Sequence, residues 1–143
     1  MNFDFSDEQK QLRDEARKYL AEHCSSKAVR EVLDGKEPYD RKLWKGLAGM
    51  GFLGVAIPEE FGGAGAGHLE LCVIAEEMGR ALAPVPFSST VYLAAEALLI
   101  AGSDAQKKKW LPSIASGEAK PRTRNPGIID RDSGFVRFTH APE

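Results

Sequence analysis

Apolar positions recur at helical spacing along most of residues 1–119, and the polar and glycine breaks between them divide that stretch into five or six helices. Ser6-Asp7-Glu8-Gln9 has the spacing of a capping box and sets two acids against the positive end of a helix dipole. Behind it, Leu12, Ala16, Tyr19 and Leu20 fall at i, i+4, i+7 and i+8. They predict one buried stripe, with Arg13, Glu15, Arg17 and Lys18 left in water. A short second helix over residues 26–33 would end near Gly35 with a thin apolar face. Asp40 is placed to cap a third helix carrying Leu43, Trp44, Leu47, Ala48 and Met50, and Gly51 supplies the left-handed residue past its end.

Residues 52–58 are too short and too broken by glycine for a regular helix. They lead into a glycine-rich stretch, 59–67, that predicts a packed irregular connection. From His68 to Gly79, Leu71, Cys72, Ile74, Ala75 and Met78 leave little polar circumference, so this fourth helix is expected to be central, with Glu76 and Arg80 paired at i, i+4. Ala83-Pro84-Val85-Pro86 cannot continue a helix and predicts a tight crossover. Ser88, Ser89 or Thr90 is then expected to cap a fifth helix through Tyr92, Leu93, Leu98, Leu99 and Ile100, stopping at Gly102. Ser103-Asp104-Ala105-Gln106 repeats the capping-box spacing and opens a sixth helix with Trp110 and Leu111, which Pro112 should kink or end. The fold class is therefore all-α, an orthogonal or bundle-like arrangement with short links.

A chain of 143 residues can bury a real core as one domain. Its 43% apolar and 28% charged residues are those of a globular protein, and a net charge of −2 offers no general attraction for nucleic acid or anionic lipid. The most apolar run, residues 91–101, contains Glu96 and falls short of a membrane span. The start of the chain lacks the basic and apolar blocks of a signal peptide, which sets a cytoplasmic location as the expectation. Cys24 and Cys72 are expected as reduced packing thiols.

Two features invite a chemical reading. Gly62 to Gly67 matches GxxxxG, yet a phosphate-binding loop requires Lys-Ser or Lys-Thr next, whereas this chain has His68-Leu69. A turn between packed elements is the better reading. Glu59-Glu60 and Glu76-Glu77 are adjacent carboxylates, but neighbours on a helix point about 100° apart and do not converge on one atom. Both pairs are expected in solvent. His23, His68 and His140 have no metal-ligand spacing, so no catalytic residue, cofactor-binding residue or metal ligand is assigned.

The order of several segments is more specific than any one of them. Asp4-Phe5-Ser6-Asp7-Glu8-Gln9 comes first, followed by Leu43-Trp44-Lys45-Gly46-Leu47-Ala48-Gly49-Met50-Gly51-Phe52-Leu53-Gly54 and Pro58-Glu59-Glu60-Phe61-Gly62-Gly63. Ala75-Glu76-Glu77-Met78-Gly79-Arg80 and Ala101-Gly102-Ser103-Asp104-Ala105-Gln106-Lys107 follow, with Trp110-Leu111-Pro112-Ser113-Ile114-Ala115-Ser116-Gly117-Glu118 last. This succession resembles the N-terminal helical domain of acyl-CoA dehydrogenases over about residues 2–119. The resemblance implies a flavoprotein of three parts, with a β-rich middle domain and a C-terminal helical bundle after the first. Such enzymes oxidise an acyl-CoA to the 2-enoyl-CoA. A glutamate takes the Cα proton, a hydride leaves Cβ for FAD, and an electron-transfer flavoprotein commonly accepts the electrons. Most flavin contacts and the base belong to the later domains, so this chain alone is expected to hold no FAD stably and to be inactive. By the same analogy Pro86, Thr90 and Leu93 are expected near the wall of the acyl slot.

After Ala119 the resemblance stops. Residues 120–143 carry five basic and three acidic side chains, a net +2 too diffuse to argue for nucleic acid. They are expected to be irregular or disordered, with a marginal hairpin of Ile128-Ile129 and residues 135–138 as the alternative. The abrupt change suggests a truncated or frame-shifted reading. Two functions stay open: the N-terminal part of an acyl-CoA dehydrogenase, or a non-catalytic helical module that associates with a complete dehydrogenase or with itself.

Overall fold

The computed structural model describes residues 4–35, 37–121 and 138–139. Its helices are α1 (Asp7–His23), α2 (Ser26–Leu33), α3 (Arg41–Gly49), α4 (His68–Arg80), α5 (Ala95–Ala101) and α6 (Asp104–Ala115). Two 3₁₀ turns, Phe52–Gly54 and Glu59–Phe61, and a π-helical segment, Ser88–Ala94, complete the helical part. A two-residue antiparallel pair, β1 (Lys120–Pro121) with β2 (Phe138–Thr139), follows. The tail's expected disorder, and most of the alternative hairpin, lie outside the described residues.

Local chemistry sets the helix starts. Ser6 and Ser103 each form a complete capping box, with Gln9 and Gln106 returning the bond to the cap amide. Ser25 and Asp40 cap α2 and α3 through Ala28 and Leu43. Gly51, at φ +78°, ends the α3 turn in the left-handed region.

Two apolar clusters form the interior. The larger joins Ala16 and Leu20 of α1, Leu43, Trp44 and Leu47 of α3, and Leu71, Ile74 and Met78 of α4 with Phe52, Leu53, Phe87 and Val91. The smaller gathers Ile57, Ala94, Ala95, Leu98, Leu111, Ile114 and Ala119. Trp44 links the elements around them, its Nε1–H donating to the Gly117 carbonyl at 2.8 Å.

Several expectations are corrected. Pro112 does not end α6, which runs on to Ala115. Leu111 and Ile114 are fully buried on either side of it. Burial worth about 2 kcal/mol per side chain offsets the bond that proline cannot make. Helical structure before α5 begins without a side-chain cap from Ser88, Ser89 or Thr90, and Phe87 is already in helical geometry. Seating Phe87 in the larger core brings the turn one residue earlier. Cys72 is exposed rather than packed, while Cys24 is half-buried. Burial pushes the Cys24 thiol upward in pKa, making it a poor nucleophile. Glu77 is buried, and Arg80 pairs with it at 3.5 Å.

Candidate functional site

The crossover from α4 to the π-helical segment is pinned at both ends. Ala81, Leu82 and Ala83 donate their amides to Glu77, Gly79 and Met78 carbonyls, and Leu82 takes φ +50° to close this turn. Farther on, the Asp40 amide donates to the Pro84 carbonyl at 2.9 Å, fixing the crossover to the start of α3. The Pro86 carbonyl accepts from the Thr90 amide at 3.2 Å and from Ser89 Oγ at 3.3 Å. One turn later the Ala95 amide reaches back five residues, to Thr90, which is the π register.

Pro86, Thr90 and Leu93 therefore take three different positions. Pro86 is half-buried at the turn, Thr90 is fully buried, and Leu93 is 67% exposed. Only Leu93 of the three presents its side chain mainly to the surface. Thr90 Oγ1 and Tyr92 Oη are buried without a hydrogen-bond partner. Burial first, and the neighbouring Cys72 second, raise the Tyr92 hydroxyl above its usual pKa. Tyr92 packs edge-on against Phe87, with ring centroids 5.4 Å apart. Glu96 reaches His68 at the start of α4, Oε1 to Nε2 2.6 Å, an ion pair when the imidazole is protonated. Neither this pair nor the π register has a signal in residue spacing.

The glycine-rich loop is committed to packing. The amides of Gly62, Gly63, Ala64, Gly65 and Ala66 donate to the carbonyls of Glu59, Pro58, Gly54, Ile57 and Val55 in turn. An anion would have to compete with those bonds. Gly63 is also pressed so close to the backbone that an added Cβ would overlap the Ile57 carbonyl oxygen and lie 2.6 Å from that of Gly54. His23 bonds the Tyr19 carbonyl through Nδ1 at 2.9 Å and stacks on the Tyr19 ring. His140 lies outside the described residues. Among the described residues no three His, Cys, Asp or Glu side chains cluster to hold a metal, and no helix is long and apolar enough to cross a membrane. The five amides from Gly62 to Ala66 are thus spent on bonds within the fold.

Comparison with known proteins gives this helical arrangement its kin. Residues 6–118 match the family described as acyl-CoA dehydrogenase, N-terminal domain. The chain is 38% identical over 117 residues to mitochondrial isovaleryl-CoA dehydrogenase of Pongo abelii, covering 79% of this chain and 27% of that one. Its fold is similar to the glutaryl-CoA dehydrogenase glutaryl-CoA complex, with TM-score 0.72, 31% identity, and coverage of 82% of this chain and 31% of that one. It is likewise similar to an acyl-CoA dehydrogenase complexed with FAD from Bacillus anthracis, with TM-score 0.69 and 31% identity, covering 81% of this chain and 21% of the other. The chain thus spans less than a third of the length of these relatives, and it belongs to the acyl-CoA dehydrogenase family through its N-terminal helical domain.

Proposed function

We propose that this chain is the N-terminal part of an FAD-dependent acyl-CoA dehydrogenase and is inactive by itself. Its role is to wall one side of the acyl slot and help exclude water there, while the flavin and the proton-abstracting carboxylate are held by other domains. The observation that carries the reading is the match over residues 6–118 to a domain that makes up under a third of each relative. The inward-bonded glycine loop supports it, since the loop amides from Gly62 to Ala66 are occupied. Acyl-CoA as substrate, an electron-transfer flavoprotein as electron acceptor and a cytoplasmic location belong to the same reading.

Purified chain is expected to show no flavin absorption band and no enoyl-CoA product from any acyl-CoA. A yellow preparation that turns over a thioester would overturn the inactivity. In a complete dehydrogenase carrying this wall, Leu93→Ala is expected to change relative kcat/KM across acyl lengths by about tenfold, the effect of one or two methylenes of contact. An unchanged series rejects the wall placement. A second reading, a non-catalytic module that associates with a complete dehydrogenase or with itself, is favoured by the bare apolar side chains of Leu93 and Ile100.

A further inference from the structure

α4 and α5 belong to different halves of the interior, and one polar contact spans them. Leu71, Ile74 and Met78 of α4 lie in the larger cluster with Phe87 and Val91, whereas Ala95 and Leu98 of α5 lie in the smaller one with Ala94. The change of cluster falls inside the π-helical segment, Ser88–Ala94. Glu96, two residues past its end, accepts from Nε2 of His68, the first residue of α4, at 2.6 Å. A carboxylate only accepts, so the imidazole supplies the hydrogen in either of its charge states. Between Arg80 and Asp104 the sequence has one charged side chain, Glu96, and it is half-buried beside this partner. The base of the contact is firm. Gln9 and Arg17 of α1 bind Glu70 and Glu77 of α4, and the loop that leads to His68 is bonded to its own backbone.

This contact and the π turn require each other. The Ala95 amide reaches the Thr90 carbonyl, five residues back, so the turn holds one residue more than an α turn. Each residue of an α-helix advances about 100°. Were the Ala95 amide to close on Val91 instead, α5 would be turned by about that angle against Phe87 and Val91, and Glu96 would leave the side of the helix that faces His68. Tyr92, one turn before Glu96, neighbours Cys72, one turn after His68, but its hydroxyl has no partner and adds no hydrogen bond to the link. Thr90, fully buried, and Leu93, largely exposed, take their places from this register. We propose that His68 and Glu96 are a positioning pair: they hold the segment in the π register, fix where Thr90 and Leu93 stand, and thereby set the acyl length accepted by a complete dehydrogenase with this first domain. The proposal rests on the reading of the segment as a wall of the acyl slot.

Amide hydrogen exchange in the full 143-residue chain reads the register. His68→Ala and Glu96→Ala are each expected to speed exchange at the Ala95 amide about tenfold relative to the Leu111 amide of α6, and the double variant to add nothing further. Glu96→Gln keeps an oxygen acceptor and is expected to stay within about threefold of wild type. An unchanged ratio of Ala95 to Leu111 exchange in both alanine variants overturns the proposal. The same variants in a complete dehydrogenase carrying residues 1–119 as its first domain, with FAD bound, read selectivity. There the ratio of kcat/KM for octanoyl-CoA to that for butyryl-CoA is expected to change about tenfold in His68→Ala and in Glu96→Ala, through KM more than kcat, and to return toward wild type in Glu96→Gln. A loss of kcat/KM equal for the two thioesters marks support of the fold alone and overturns the positioning role. Leu93→Ala separates that failure from failure of the wall. A shifted ratio in Leu93→Ala with none in the alanine variants of the pair sinks the pair and keeps the wall, and no shift in any of the three sinks both.

Discussion

Arg17 grips Glu77 across 60 residues with two parallel bonds, Nε to Oε2 at 3.0 Å and Nη2 to Oε1 at 2.7 Å. The carboxylate is 2% exposed and the guanidinium 45%, so α1 supplies a charge that stays partly in water while α4 carries its partner into the interior. Gln9 makes a second link between the same helices, its Nε2 donating to Glu70 Oε1 at 2.9 Å. The forked geometry makes the Arg17–Glu77 contact a charge-assisted, bidentate pair. Glu77→Gln is expected to cost about 2 kcal/mol, the usual range for hydrogen bonds to charged groups. Urea unfolding at neutral pH measures it, and a loss below about 0.5 kcal/mol would show the pair to be idle.

The same carboxylate makes stability depend on pH. Hydrogen bonding from Arg17, ahead of the opposing effect of burial, holds the Glu77 pKa below its usual value. A group depressed in the folded state contributes fully above its unfolded pKa, about 4.3, and that contribution is lost as pH falls through the folded value. The stability gap between wild type and Glu77→Gln is therefore expected to be widest near neutral pH and to narrow in acid. Asp4 and Glu8 are also lowered, but both are fully exposed and should add little. A gap that stays constant from pH 7 to pH 3 contradicts the assignment.

What is legible in the residues is local. The boxes at Ser6 and Ser103 and the cap at Asp40 each act within three residues, so their spacing alone announces them. Glu77 beside Glu76 looks like any solvated pair until α1 folds across it, because its partner is distant in sequence. Pro112 and the Ser88–Thr90 run depart from the sequence expectation for one reason: burial of Leu111, Ile114 and Phe87 outweighs the local rule. At the candidate site the crossover is readable from its two prolines. The separation of buried Thr90 from exposed Leu93 is not, since it depends on the π register.

Gly63 tests whether the glycine-rich loop is structural. With an added Cβ directed at the Ile57 and Gly54 carbonyl oxygens, relief requires moving backbone rather than rotating a side chain. Gly63→Ala is expected to destabilise by about 3 kcal/mol, the upper end for overpacking. Gly49→Ala, where a Cβ meets nothing within 4 Å, serves as control and should be neutral or slightly stabilising. Equal melting of the two variants would return the loop to the flexible, ligand-binding reading.

Thr90 is the converse case, a buried polar group whose removal should help. Its Oγ1 has no partner, and the acceptor a helical threonine would ordinarily use, the Pro86 carbonyl four residues back, already takes bonds from the Thr90 amide and from Ser89 Oγ. Replacing the hydroxyl by a methyl keeps the branched shape and removes an unmet desolvation cost, so Thr90→Val is expected to stabilise the chain by about 1 kcal/mol. Ser89→Ala frees one lone pair of the Pro86 carbonyl for the Thr90 hydroxyl, so the gain from Thr90→Val should shrink or vanish in that background. A double-mutant cycle by urea unfolding reads the coupling directly. Destabilisation by Thr90→Val in the wild-type background would mean that the hydroxyl is satisfied in solution and that the crossover has a different hydrogen-bond pattern there.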